Sequence, residues 1–197
     1  MPATRMRTNE RALLARLQQR DDPQDWLDAW ETLVHECGNR VYGLSLRMLR
    51  RPQDAEDATQ EVWERALAGL SRFRGDSSLA TWLYSIAMNV CLTRIDRAAR
   101  SRVVTTDDPL GDDLLIDPAD DGPDAERCAL SAEARVAIER ALGELDPGFR
   151  AVILLRDRED LRYEEIAQIL DIPINTVKTR IHRARLALQE KLEAFRP

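Results

Sequence analysis

"EEIAQILDIPINTVKTRIHRAR", Glu164 to Arg185, holds two helical periods separated by a turn. Tyr163 to Leu170 reads as a short helix whose Ile166, Ala167 and Leu170 face inward. Asp171-Ile172-Pro173 suits the turn, and a second helix runs on from about Ile174. At about 100° per residue, Ile174, Val177, Ile181, Ala184 and Leu188 fall within one narrow arc. Opposite them lie Thr176, Thr179, Arg180 and Arg183, with Asn175 and His182 at the edges. Lys178 and Arg185 sit nearer the packed arc, where their stems cover apolar surface and their charges reach flanking phosphates. A helix that reads duplex DNA needs such a division: one side anchors it, the other offers guanidinium, hydroxyl and amide groups to base edges. The same pattern also fits a solvated basic face on an ordinary helix.

A basic strip is out of place in a chain of 197 residues with formal net charge −6 until the charge is mapped. Residues 1–39 sum to −2, 40–100 to +3, 101–126 to −8, 127–149 to −1 and 150–197 to +2. One short segment therefore carries more negative charge than the whole chain, and two basic blocks flank it, so the acidic total does not exclude nucleic acid. With 44% hydrophobic and 32% charged residues the chain is globular. Cys37, Cys91 and Cys128 are widely spaced without a C-x-x-C, so neither a disulfide framework nor a zinc site is expected, which fits a reducing cytoplasm. Apolar runs such as Ala151 to Leu155 are far too short to span a bilayer.

From Trp26 to Arg100 apolar residues recur at helical spacing: Leu27, Trp30, Val34, Cys37, Val41; then Ala55, Ala58, Val62, Ala66; then Leu79, Leu83, Ile86, Val90. Arg51-Pro52 and the run Arg74 to Ser78 break the series. Residues 101–124 are dominated by Asp, Pro and Gly without a period, and read as a flexible acidic linker. The helical period returns with Val136, Leu142 and Leu145, and Asp146-Pro147 marks a fresh helix start. The expected architecture is all-α: an Arg-rich N-terminal tail or helix start (1–25), a helical domain (26–100), the linker (101–124), and a second helical domain (125–197) ending in the helix-turn-helix.

The first domain carries its own chemistry. "DAEDATQEVWERAL" sets Asp54, Asp57, Gln60, Glu61 and Glu64 along one face, opposite Ala58, Val62 and Ala66. An acidic stripe on a basic block suits docking on a positive protein surface, although such stripes are usually just solvated. "FRGDSSLATWLYSIAMNVCLTRIDRAAR" joins a polar loop to a helix with Trp82, Tyr84, Asn89, Arg94, Arg97 and Arg100. Aromatics interleaved with Arg suit unstacked bases and their phosphates, while Trp82 or Tyr84 fits a core position equally well.

In that order, the three motifs resemble a bacterial RNA polymerase sigma factor of the extracytoplasmic-function group, over roughly Leu33–Arg100 and Ala134–Leu192. The resemblance implies that Asp54, Asp57, Gln60 and Glu61 dock on the clamp coiled coil of core RNA polymerase. It implies that Gly75, Asp76, Ser77, Ser78, Leu79 and Ala80, with Trp82, Asn89, Arg94 and Arg97, melt and read the −10 promoter element as single strand. It implies that Asn175, Thr176, Lys178, Thr179, Arg180 and Arg183 read the −35 element as duplex, and that the acidic linker threads the polymerase's RNA channel. An anti-sigma factor is the further partner it implies. No cofactor, metal, small-molecule substrate or membrane insertion is expected, and no catalytic constellation has plausible spacing; Cys37 near His35 fits a packed thiol. The competing reading is a helix-turn-helix repressor or response regulator without a sigma role, which would need a dimerisation or receiver domain.

Overall fold

Asp22 and Pro23 open the longest helix. The Asp22 carboxylate accepts from the backbone N–H of Gln24 at 2.9 Å and of Asp25 at 3.3 Å. Pro23, with no N–H to leave unsatisfied, takes the first helical position. The structure, a computed structural model, describes residues 8–19, 21–102 and 132–193. Over that range it is helical without a strand: α1 (Thr8–Gln18), α2 (Pro23–Leu49), α3 (Pro52–Gly69), a 3-10 turn (Leu70–Arg72), α4 (Leu79–Arg102), α5 (Ala132–Gly143), α6 (Pro147–Ile153) with a π-helical extension (Leu154–Arg158), α7 (Tyr163–Leu170) and α8 (Ile174–Glu193).

Helices α2, α3 and α4 pack mutually. The expected α3 stripe of Ala55, Ala58, Val62 and Ala66 is fully buried, its small side chains letting the neighbouring helices approach closely. On α2 the buried row is Ala29, Leu33, Cys37, Val41, Leu44 and Met48, so the expected series holds at Cys37 and Val41 but not before them: Leu27 is exposed, and Trp30 and Val34 are half-buried. Trp30 instead stacks on Trp26 with centroids 5.7 Å apart and meets Trp63 edge-on, also at 5.7 Å. Helix α4 buries Leu79, Leu83 and Val90 as expected, and also Tyr84, Ala87, Met88 and Cys91. It is covered on two sides, by α2 and α3 on one and by α7 on the other, which blurs its amphipathic period.

The expected tail is partly a core element. Residues 8–18 form α1, and Leu13, Leu14 and Leu17 are buried. Arg11 and Arg16 suggested a basic tail, but Arg16 pairs with Asp25 at 2.7 Å and frees the leucine face for packing. Most of the proposed linker, from residue 103 on, lies outside the described residues.

In the second unit Asp146 caps α6, accepting from Gly148 N at 2.8 Å, with Pro147 first in the helix. Arg150 is buried, and its guanidinium donates to the carbonyls of Leu142 (3.0 Å), Gly143 (2.5 Å) and Leu145 (3.0 Å), closing the end of α5. It also donates to Met48 O at 2.7 Å, where α2 ends. Burial, with Arg50 nearby, pushes this guanidinium down to about 10, still charged at neutral pH.

That last bond belongs to a seam between the two units. Arg47 pairs with Glu139 at 3.0 Å, and the Tyr84 hydroxyl donates to the buried carboxylate of Glu159. Glu159 also accepts from Arg40 at 3.3 Å. Helix α4 packs on α7, and one contiguous buried cluster runs from Leu13 to Ala184. The sequence suggested two tethered bodies; nothing in its periodicity announces that they dock.

Candidate nucleic-acid interface

The helix-turn-helix has the predicted limits. Glu165, third in α7, accepts from Arg162 N at 2.9 Å, and Asp171 ends the helix in the left-handed region with φ 51°. Ile166 and Ile169 are buried, with Ala167 and Leu170 half-buried beside them. Val177, Ile181 and Ala184 bury the inner side of α8, and Ile174 and Leu188 flank it half-buried. The outer side presents Asn175, Lys178, Thr179 and Arg183 exposed, with Thr176 and Arg180 half-buried.

Asn175, Thr176, Thr179, Arg180 and Arg183 line one shallow concavity, and Phe149 of α6 forms its other wall. Lys178 stands outside it. Arg180 lies across Gly148, where an added Cβ would come within 3.3 Å of its Nη1, so the missing side chain lets the guanidinium lie close to α6. Phe149 and Gly148 were not foreseen as parts of this surface, because no period within one helix reports a contact between two. The hydroxyl of Thr179 donates to Asn175 O at 2.9 Å within α8. Arg185 differs from expectation: it holds Asp157 at 2.6 Å, which raises its pKa and ties it to the π-helical extension.

The loop before α4 is partly structural. Gly75 has φ 75°, a conformation that disfavours any side chain. Arg74 and Asp76 are exposed, and Ser77 and Ala80 half-buried. Two expected readers are committed elsewhere. Leu79 is 2% exposed and anchors α4 in the core, and the Ser78 hydroxyl accepts from Thr81 N at 3.0 Å, capping that helix. Trp82 is half-buried and stacked on Phe73 at 4.7 Å with 21° between the planes, while Tyr84 is core. Farther along α4, Asn89 and Arg97 are exposed. Arg94 is not free: it binds the Glu61 carboxylate at 2.8 Å and donates to Asp57 O at 3.3 Å.

On α3, Asp54, Asp57 and Gln60 are exposed along one face. Glu61 is a correction to that stripe. Its side chain is 31% exposed and held by both Arg94 and Arg65, and the bond from Arg94 keeps its pKa below the usual carboxylate range. It fastens α3 to α4 as much as it faces outward. Beside the stripe, Trp30, Tyr42, Trp63 and Leu67 line an apolar groove rimmed by Glu56 and Glu64. Cys37 is buried next to exposed His35, and desolvation pushes its thiol up to about 11, which suits a packed cysteine. No described helix is long and apolar enough to cross a membrane.

Known proteins share this arrangement. Residues 33–101 match the model for Sigma-70 region 2, and residues 135–188 match that for Sigma-70, region 4. The sigma factor SigW of Bacillus subtilis is 35% identical over 170 residues, covering 84% of this chain and 89% of its own. The chain belongs to the extracytoplasmic-function group of RNA polymerase sigma factors. The sigma-H factor of Pseudomonas aeruginosa is 33% identical over 84% of this sigma factor and 86% of its own length. The sigma-E factor of Escherichia coli is 33% identical over 93% and 94%. Among solved structures, CnrH in complex with the cytosolic domain of CnrY aligns with a TM-score of 0.64 at 25% identity, over 94% of this chain and 97% of that one. The sigma factor RpoE bound to the anti-sigma factor NepR from Bartonella quintana shares the fold, with a TM-score of 0.69 at 24% identity, over 84% and 98%. This sigma factor is therefore a transcription initiation factor that directs RNA polymerase to promoters. A repressor would not account for the region 2 match.

Proposed function

We propose that α8 reads the −35 element as duplex through Asn175, Thr176, Lys178, Thr179, Arg180 and Arg183, and that Gly75 to Ser77 with Ala80, Trp82, Asn89 and Arg97 capture the −10 element as single strand. Asp54, Asp57 and Gln60 dock on core polymerase. The carrying observation is the concavity in which Arg180 and Arg183 stand together with Thr179, Thr176 and Asn175, opposite the buried Val177, Ile181 and Ala184. Guanidinium and amide groups on the free side of a rigidly anchored helix suit base edges in a major groove. The protein works in the cytoplasm with polymerase and performs no catalysis of its own. Because CnrH is held by the cytosolic domain of a second protein, an anti-sigma protein is the corresponding partner here.

The docked seam fits the protein before it bridges the two promoter elements. Elements named −35 and −10 lie about 25 base pairs apart, or about 85 Å along B-DNA. A single packed body of this size is roughly 40 Å across. The two readers reach both elements only after the units part along the Tyr84–Glu159 seam. Run-off transcription with −35 variants tests the assignment: Arg180→Ala and Arg183→Ala should each relax preference at a defined position, and unchanged transcription on every variant would refute it.

A further inference from the structure

The N-terminal helix precedes both family matches, at residues 33–101 and 135–188, yet it reaches the turn that leads into the loop assigned to the −10 element. Its last residue, Gln18, donates from one carboxamide nitrogen to Phe73 O at 2.7 Å and to Leu70 O at 3.1 Å. These carbonyls bound the 3-10 turn from which the loop departs, and Phe73 N itself returns to Leu70 O at 3.2 Å. Next along the chain, the Phe73 ring carries the stacked Trp82. Gln18 is held in turn. Leu17 is 1% exposed, its carbonyl accepts from Trp26 Nε1 at 3.0 Å, and Arg16 is clamped to Asp25. The descending side of the loop is fixed separately by the Ser78 cap.

We infer that Gln18 is a positioning residue for promoter opening: it fixes the ascending limb of the Phe73–Ser78 loop, and so the Phe73–Trp82 stack, in the form that receives an unstacked base. This rests on the proposed single-strand role of that loop. A loop held in its binding conformation loses less freedom when the strand arrives, so the brace strengthens capture without touching DNA. Gln18 is exposed, so its removal leaves no cavity, and the carbonyls it releases can turn to water. The cost falls on loop order rather than on folding.

The test uses full-length protein bound to core polymerase and a labelled single strand from the −10 region of a promoter that wild-type holoenzyme transcribes. Gln18→Met keeps the stem and removes both donors; Gln18→Lys restores a donor; Gln19→Met is a neighbouring control. Gln18→Met should weaken capture of the strand about fivefold to tenfold, as expected for losing the two hydrogen bonds of one exposed carboxamide, with core affinity and melting temperature unchanged. Gln18→Lys should recover part of the loss, and Gln19→Met should match wild type. If Gln18→Met captures the strand like wild type while Trp82→Ala does not, the brace is overturned and the loop's role stands. If core affinity falls in parallel with strand capture, the residue is merely structural and the inference fails. If Trp82→Ala also captures normally, the loop assignment and the brace fall together.

Discussion

Removing the Tyr84 hydroxyl should loosen the seam between the two helical units while leaving both cores packed. Tyr84→Phe keeps the buried ring and deletes only the donor to Glu159. That carboxylate is 5% exposed, and its other partner, Arg40 at 3.3 Å, is 55% exposed and shared with water. Burial and the neighbouring Glu159 charge raise the Tyr84 pKa well above its usual value, so the hydroxyl donates throughout the neutral range. Hydrogen bonds to charged groups contribute about 1.5–3 kcal/mol, and since Arg40 still satisfies part of Glu159, a loss of about 2 kcal/mol is expected. That is about a 30-fold shift toward separated units. Dyes at the exposed positions Glu31 and Glu190, in a Cys128→Ser background where Cys37 and Cys91 are buried, report the separation by energy transfer. Tyr84→Phe and Glu159→Gln should both populate a low-transfer state, with little change in the urea midpoint of the first unit. A transfer distribution identical to wild type in both variants would show that this bond does not hold the units together.

Other consequences are equally direct. Arg180→Ala should cost about 1–3 kcal/mol at one −35 position if it pairs with a base edge, read as a narrowed ratio between promoter variants in run-off transcription. Asp57→Lys should abolish co-elution with core polymerase without shifting the melting temperature, because Asp57 is exposed. Glu61→Lys should instead lower the melting temperature, since it loses Arg94 at 2.8 Å and sets a like charge against it; equal effects of the two reversals would contradict the distinction. Cys37 and Cys91 titrate in the fold near 11 against an ordinary 9.0, in both cases mainly because burial disfavours the thiolate. Their contribution is complete below the ordinary value and is lost as pH rises toward 11, because the unfolded thiols ionise first. Unfolding free energies from urea melts at about pH 8 and pH 10.5 should therefore differ by on the order of 1–2 kcal/mol per thiol, and Cys91→Ala should remove only its own share, about half of the difference.

Wherever a local rule applied without competition, the sequence was sufficient. The α7 and α8 limits follow from Asp171-Ile172-Pro173 and from the arc of Val177, Ile181 and Ala184, because a helix on a surface must bury one face. The same holds for the α3 alanine row and for the Asp146–Pro147 start of α6. The acidic stripe and the basic strip were visible because charge on a solvated face needs no partner to be recognised. What periodicity could not supply is which exposed-looking groups find one another across elements. Only packing decided that Arg94 would hold Glu61 and that Gln18 would reach Phe73. It decided also that Tyr84 would be core, because α7 covers a second side of α4, and that Glu159 would be buried against it. Such contacts join residues as far apart in sequence as Tyr84 and Glu159, and each is fixed by how whole helices cross, a property that no single helix carries in its own spacing.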